Sequence, residues 1–292
     1  MKNKITELQN QKENIKKVAA FQEIYFEAKK WVKIKKFSTW ILVVINILPV
    51  CVDFFTEILQ NLNMNLFTGF VQTGTVIILL VDELCFKSKI SSMKEKAAKL
   101  QQEFDYTVYD LKDEVFLEKT HETEIEEYSE KYLKRKGNYD KVISWYSDGI
   151  EELPQGEAIM RCQKANYLWD KDLRTKYNKE QLLTMFCICV VYIIILLGTN
   201  TGIMDIFSKH LFVIPPLLLV YLSDYFDNKN SIKTATQLID ACNKVSTYKN
   251  SSAIILQDKI FEYRKNCYLI PDEFYDKNRD KQETQMKETI RK

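Results

Sequence analysis

The chain has 292 residues, 46% of them hydrophobic and 28% charged, with seven glycines and five prolines. So few turn-forming residues at this length point to long helices rather than sheets. A net charge of +2 gives no bulk field for a nucleic-acid polymer, and two histidines, His121 and His210, leave little basis for a multi-histidine zinc site or a histidine-based triad.

Ile5, Leu8, Ile15, Val18, Phe21, Tyr25, Ala28 and Val32 keep a helical period that no Pro or Gly interrupts, so a single helix is expected to enter the next segment. The first 36 residues lack the apolar core and cleavage pattern of a signal peptide. Four nearly uncharged stretches follow along the chain: Phe37–Phe55, Leu66–Phe86, Leu182–Ile203 and Ile206–Phe226. Each is close to the ~20 apolar residues that cross a bilayer. Lys33, Lys35 and Lys36 precede the first stretch, Lys87 and Lys89 follow the second, and Arg174, Lys176 and Lys179 precede the third. The short connections on the other side carry only Lys209, so both termini and the middle region are expected to be cytoplasmic.

The expected fold is an all-α integral membrane protein, with four transmembrane helices in two pairs continuing into a cytoplasmic helical domain. Its parts would be an N-terminal cytoplasmic helix (1–36), spans one and two (37–86), a cytoplasmic helical domain (87–181), spans three and four (182–226), and C-terminal cytoplasmic helices with a charged tail (227–292). The mean hydropathy of −0.27 then averages apolar spans with a larger polar body. Asn46, Gln72 and Thr75 are polar groups at membrane depth, each either a pore-lining candidate or a bond to a neighbouring helix. Pro215-Pro216 is expected to kink the fourth span.

In the middle region Ile90, Met93, Ala97, Leu100, Phe104, Val108, Leu111 and Val115 recur every three or four residues and define one buried helical face. Thr123 and Glu126 read as a capping box, Gly137-Asn138 as a helix stop and Leu153-Pro154 as a further break. The helix expected from Gln155 onward places Gln163, Asn166, Asp170, Arg174 and Tyr177 on one polar stripe, beside Ile159, Cys162, Trp169 and Leu173. Such a stripe serves either as a structural network, with Asp170 and Arg174 an i,i+4 pair, or as a set of ligand-facing groups.

Trp145-Tyr146-Ser147, Leu153-Pro154, Cys162-Gln163, Asn166, Trp169-Asp170, Leu173-Arg174 and Tyr177 resemble the central signature of the SMODS-associated four-transmembrane pore-forming effectors. Gln22, Tyr25 and Ala28-Lys29 are similar to that family's opening, and Leu256 to Asp258, Arg264, Ile270 to Asp272, Phe274-Tyr275 and Arg279 to its ending. Lys164 departs from the pattern, standing where an Arg often follows the Cys-Gln pair. The resemblance implies a bacterial antiphage effector of cyclic-oligonucleotide signalling. It would sit in the inner membrane with both termini cytoplasmic, permeabilise that membrane on binding a cyclic di- or oligonucleotide, and so cause abortive infection. It further implies a ligand-sensing role for Trp145, Tyr146, Gln163, Asn166, Trp169, Asp170, Arg174 and Tyr177, whose aromatic faces and guanidinium suit bases and phosphates.

A pore from so few helices calls for a homo-oligomer in the lipid bilayer, and Gly198-x-x-x-Gly202 is a possible packing pair. The seven cysteines include no Cys-x-x-Cys pair, and no phosphate loop, nucleophile elbow or His-Glu-x-x-His motif occurs. No enzyme activity, metal or cofactor is therefore expected. The competing readings are a constitutive small channel or transporter and a non-conducting membrane scaffold.

Overall fold

The computed structural model describes residues 3–54, 73–74, 77, 80–111, 119–146, 149–198, 215–244 and 250–278, and every regular element among them is helical. In chain order these are α1 (Ile5–Gln9), α2 (Lys12–Phe54), a π-helical turn (Asp82–Phe86) leading into α3 (Lys87–Val108), α4 (Glu122–Lys136), α5 (Gln155–Gly198), α6 (Pro215–Lys244) and α7 (Asn250–Asn266). A further short helix covers 272–278. The chain forms two compact units: one of residues 1–29, 90–177 and 228–292, the other of residues 30–89 and 178–227.

The first unit is a packed helical body. Val18, Phe21, Ile24 and Ala28 of α2, Ala97, Leu100 and Phe104 of α3, Ile159 and Leu173 of α5, and Leu256 and Ile260 of α7 are all buried. On α3, and at Val18, Phe21 and Ala28 of α2, these are the positions that the three-and-four spacing selects, because apolar side chains at that period share one face of a helix. Ile24, by contrast, is buried where the spacing marks Tyr25. Gly137 ends α4 as expected: at φ 84° its N–H reaches the Leu133 carbonyl at 2.8 Å.

Local polar chemistry changes three expectations. The N-terminal helix is broken after Gln9, where no Pro or Gly stands, because side-chain amides serve the carbonyls of α1: Asn10 Nδ2 donates to Thr6 O at 3.0 Å and Asn14 Nδ2 to Leu8 O at 2.8 Å. The freed segment then holds a distant loop. Gln9 exchanges two hydrogen bonds with the Tyr146 backbone (3.1 and 2.6 Å), and Asn10 Oδ1 accepts from Ser144 N at 2.8 Å. Thr123–Glu126 is not the capping box of α4; the N-cap is His121, with no side-chain bond, and Glu126 pairs with Lys16 at 2.5 Å instead. The periodic run of α3 stops at Val108 because Asp110 turns left-handed (φ 48°), a conformation that a short polar side chain tolerates.

In the second unit Trp31 packs on Phe86 (5.9 Å), Trp40 on Tyr221 (6.5 Å), and Lys36 pairs with Asp224 at 3.0 Å. Large exposed apolar side chains gather here, among them Phe37, Ile41, Val44, Leu84, Phe186, Ile194, Leu197 and Leu219. Even so, no helix among the described residues is long and apolar enough to cross a membrane, which overturns the expected set of four transmembrane helices. Helix length alone does not decide this, since α2 and α5 run 43 and 44 residues; each joins an apolar stretch to a charged one. Gln72 and Thr75 lie outside the described residues, as do 199–214 and 279–292, while Asn46 falls on α2 with its side chain outside what is described. Pro215-Pro216 begins the described part of α6.

Gly137 makes the fold testable. A Cβ there would meet nothing within 4 Å, so a substitution acts through the backbone alone. Gly137→Ala is expected to lower unfolding stability by about 1 kcal/mol, read from the denaturation midpoint. An unchanged midpoint would mean that the positive φ is not required.

Candidate ligand-binding cavity

One arginine organises each of two polar clusters in the first unit. Arg264 on α7 donates through Nη1 to Asp105 on α3 at 2.7 Å, and both side chains are buried. Tyr146 OH donates to Asp105 Oδ1 at 2.5 Å, while Gln163 Nε2 reaches Oδ2, the oxygen Arg264 uses, at 3.4 Å and Tyr109 OH at 3.0 Å. Burial raises the phenols of Tyr109 and Tyr146 well above their ordinary range, which keeps both hydroxyls protonated and available to donate.

Arg174 on α5 centres the second cluster. Its Nε donates to Asp170 (2.7 Å) and Tyr263 OH (2.8 Å), and its Nη1 to Asn228 Oδ1 (3.2 Å) and the Tyr268 carbonyl (2.7 Å). Asn228 on α6 returns a bond from Nδ2 to the Arg174 carbonyl at 2.9 Å, and Tyr263 OH donates to Asp170. Burial works against the Arg174 charge, and Asp170 with the Tyr263 phenol outweighs it, so the guanidinium stays fully charged.

A cavity of about 340 Å³ lies beside these clusters and is lined wholly by residues of the first unit. The volume is within the usual range of small-molecule sites, ~300–1,000 Å³. Aromatic rings form much of the wall: Phe21 and Tyr25 from α2, Trp145 from the loop before α5, Trp169 from α5, and Tyr275. Trp169 meets Tyr275 edge to face at 5.1 Å, and Phe21 meets Trp145 at 5.5 Å. Basic side chains stand among them. Arg135 lies 3.9 Å above the Phe26 ring and pairs with buried Glu23 at 2.6 Å, and Lys29 pairs with Asp272 at 2.5 Å.

Of the eight residues the sequence marks for ligand sensing, Trp145, Asn166, Trp169, Asp170 and Arg174 line this cavity. The other three stand elsewhere. Tyr146 and Gln163 belong to the Asp105 cluster, and Tyr177 stacks on Tyr268 (5.9 Å) and meets Phe274 (5.0 Å) in an apolar cluster with Leu173 and Ile270. The stripe is therefore one face of α5 with three different neighbours along its length. Tyr25, Lys29, Arg135, Tyr263, Arg264 and Tyr275 also line the cavity, although the stripe does not include them. Asp105 offered little signal: Glu103 and Asp105 flank Phe104 alike, and only the burial of Asp105 shows which of the two carboxylates needs a partner.

Asp105→Ala would leave Arg264 charged and buried without its carboxylate, a loss of about 3–5 kcal/mol in unfolding stability. A chemical denaturation curve would show it as a large drop in midpoint. A change under 1 kcal/mol would mean that the pair does not hold the body together.

No curated protein and no solved structure matches the chain. One family model does, over residues 3–292, under the description SMODS-associating 4TM effector domain. The description is that of a membrane effector associated with the SMODS signalling systems, and the chain belongs to this family.

Proposed function

We propose that the protein is a bacterial antiphage effector that binds a cyclic di- or oligonucleotide in the first unit and permeabilises the inner membrane in response. The observation that carries this reading is the cavity itself: aromatic walls and basic side chains are gathered in a space of about 340 Å³. Bases stack on aromatic faces at ~1–3 kcal/mol each, and guanidinium and ammonium groups neutralise phosphates. Binding rather than catalysis is the work of such a site, whose arginines are fixed by carboxylates and whose Tyr25 and Tyr263 phenols are held protonated by burial.

Two further features support the membrane part. Phe37, Ile41 and Val44 on α2 and Phe186, Ile194 and Leu197 on α5 are exposed in the second unit, an arrangement that soluble surfaces avoid and lipid accommodates. The helices α2, α5 and α6 each carry residues of both units. A ligand that draws on Arg174 competes with its bonds to Asn228 and Tyr268, which gives binding a route to α6. Pore formation by a homo-oligomer is the form of permeabilisation that this reading takes.

Dye release from liposomes containing the full-length protein tests it. Release is expected only when a cyclic oligonucleotide is added, and Trp169→Ala should raise the nucleotide concentration required by about tenfold through the lost stacking. Release without any nucleotide would favour a constitutive channel. Nucleotide binding without release would favour a non-conducting scaffold.

A further inference from the structure

Two buried arginines on the cavity wall have donors to spare. Arg264 commits Nη1 to Asp105, while its Nε and Nη2 make no hydrogen bond among the described residues. Arg174 commits Nε and Nη1, and its Nη2 likewise makes none. Tyr25 on α2 lines the same wall, within the electrostatic reach of both arginines, and its hydroxyl bonds to nothing among the described residues. Burial raises its phenol far above the ordinary range, so at neutral pH the hydroxyl keeps its proton.

Charge at this corner is already balanced, since Asp105 matches Arg264 and Asp170 matches Arg174. What is unmet is hydrogen-bond donation: the residues that carry these guanidinium and phenol donors line the cavity, and the nearby carboxylates are spent on the arginines. None of these atoms is among the fully buried side-chain atoms left without a partner, so water can meet them. An occupant that displaces that water must supply acceptors, at about 1–3 kcal/mol for each donor left unmet, and is complementary when it is rich in acceptors and lacks donors. A phosphodiester has only acceptor oxygens and fits the guanidinium fork in two-point fashion, whereas an amide or sugar hydroxyl brings a donor of its own. The carboxylate pairs also fix both arginines before ligand arrives, so little side-chain freedom is lost on binding.

We propose that Tyr25, Arg174 and Arg264 form a phosphate-recognition corner of the cavity, which receives a phosphodiester group of the nucleotide. This rests on the sensing role proposed above and names the groups that read the ligand's backbone, leaving Trp169 and Tyr275 to meet a base. The corner would distinguish a phosphorylated ligand from a neutral nucleoside before any base is read.

Isothermal titration of the full-length protein in detergent tests the corner. The probes are a panel of cyclic di- and trinucleotides, inorganic pyrophosphate, and adenosine as the neutral control. The variants are Tyr25→Phe, which removes one hydroxyl, and Arg264→Lys, which keeps a cation for Asp105 but loses the fork. Thermal melting of each accompanies the titration. Tyr25→Phe is expected to melt as the wild type and to weaken the phosphorylated probe that binds by about tenfold, with adenosine unaffected. Arg264→Lys should weaken it further. If pyrophosphate binds with this dependence and no cyclic nucleotide does, the corner stands and the sensing role fails. If a cyclic nucleotide binds both variants as tightly as the wild type, the corner is overturned and the sensing role stands. Absence of binding by every phosphorylated probe overturns both.

Discussion

Burying the Asp105 carboxylate is the constraint around which the first unit is organised. A lone ionised carboxylate in a dry interior costs many kcal/mol, so its oxygens must be met by charge and by donors. Arg264 supplies the charge, and Tyr146 and Gln163 supply further hydrogen bonds. Those partners come from α7, the loop before α5, and α5 itself, so one carboxylate on α3 ties together four segments spread over 159 residues of chain. Satisfying it also sets the cavity. The tie on Tyr146 fixes the neighbouring Trp145 at the wall, and the tie on Arg264 fixes a guanidinium there. The loop is held from its other side by Gln9, through two bonds to the Tyr146 backbone. The helix break after Gln9 is thus part of the same arrangement.

The elements legible in the sequence are those governed by nearest neighbours along a helix. The buried face of α3 from Met93 to Val108, the stop at Gly137 and the start of α5 after Pro154 all follow from periodicity or from a single residue's backbone preference. The break at Asn10 escapes this logic because its cause is a set of side-chain amides, which sequence patterns read as ordinary polar helix positions. The spans escape it for another reason. Hydropathy counts apolar residues stretch by stretch, while here those stretches share their helices with charged segments, and no helix among the described residues is long and apolar enough to cross a membrane.

The cavity shows the same division. A helical wheel correctly places Gln163, Asn166, Asp170, Arg174 and Tyr177 on one face, but it carries no information about what each meets. Along that face the neighbours change from the Asp105 cluster to the cavity and then to the Tyr268–Phe274 aromatic group. The residues that complete the site, Tyr25, Lys29, Arg135 and Arg264, come from α2, α4 and α7. Their convergence depends on tertiary packing, which no local spacing encodes.

Pairing each cation with its own carboxylate also shapes what a ligand can do. Arg174, Arg264, Arg135 and Lys29 are matched by Asp170, Asp105, Glu23 and Asp272, so the empty cavity carries little electrostatic strain. An anion entering it does not simply neutralise charge; it shares each guanidinium with an acid already in place. The buried Asp105–Arg264 pair, joined by Tyr146, is the costlier to disturb, whereas the Lys29–Asp272 pair is more exposed and has fewer hydrogen bonds. A ligand can shift an equilibrium only by its difference in affinity for the two states. The Arg174 cluster is where such a difference can arise, because its bonds run to α6 and to the segment after α7 while Arg174 itself lines the cavity. A ligand that drew on the Arg174 guanidinium would therefore act on the bonds that hold α6 and the segment after α7.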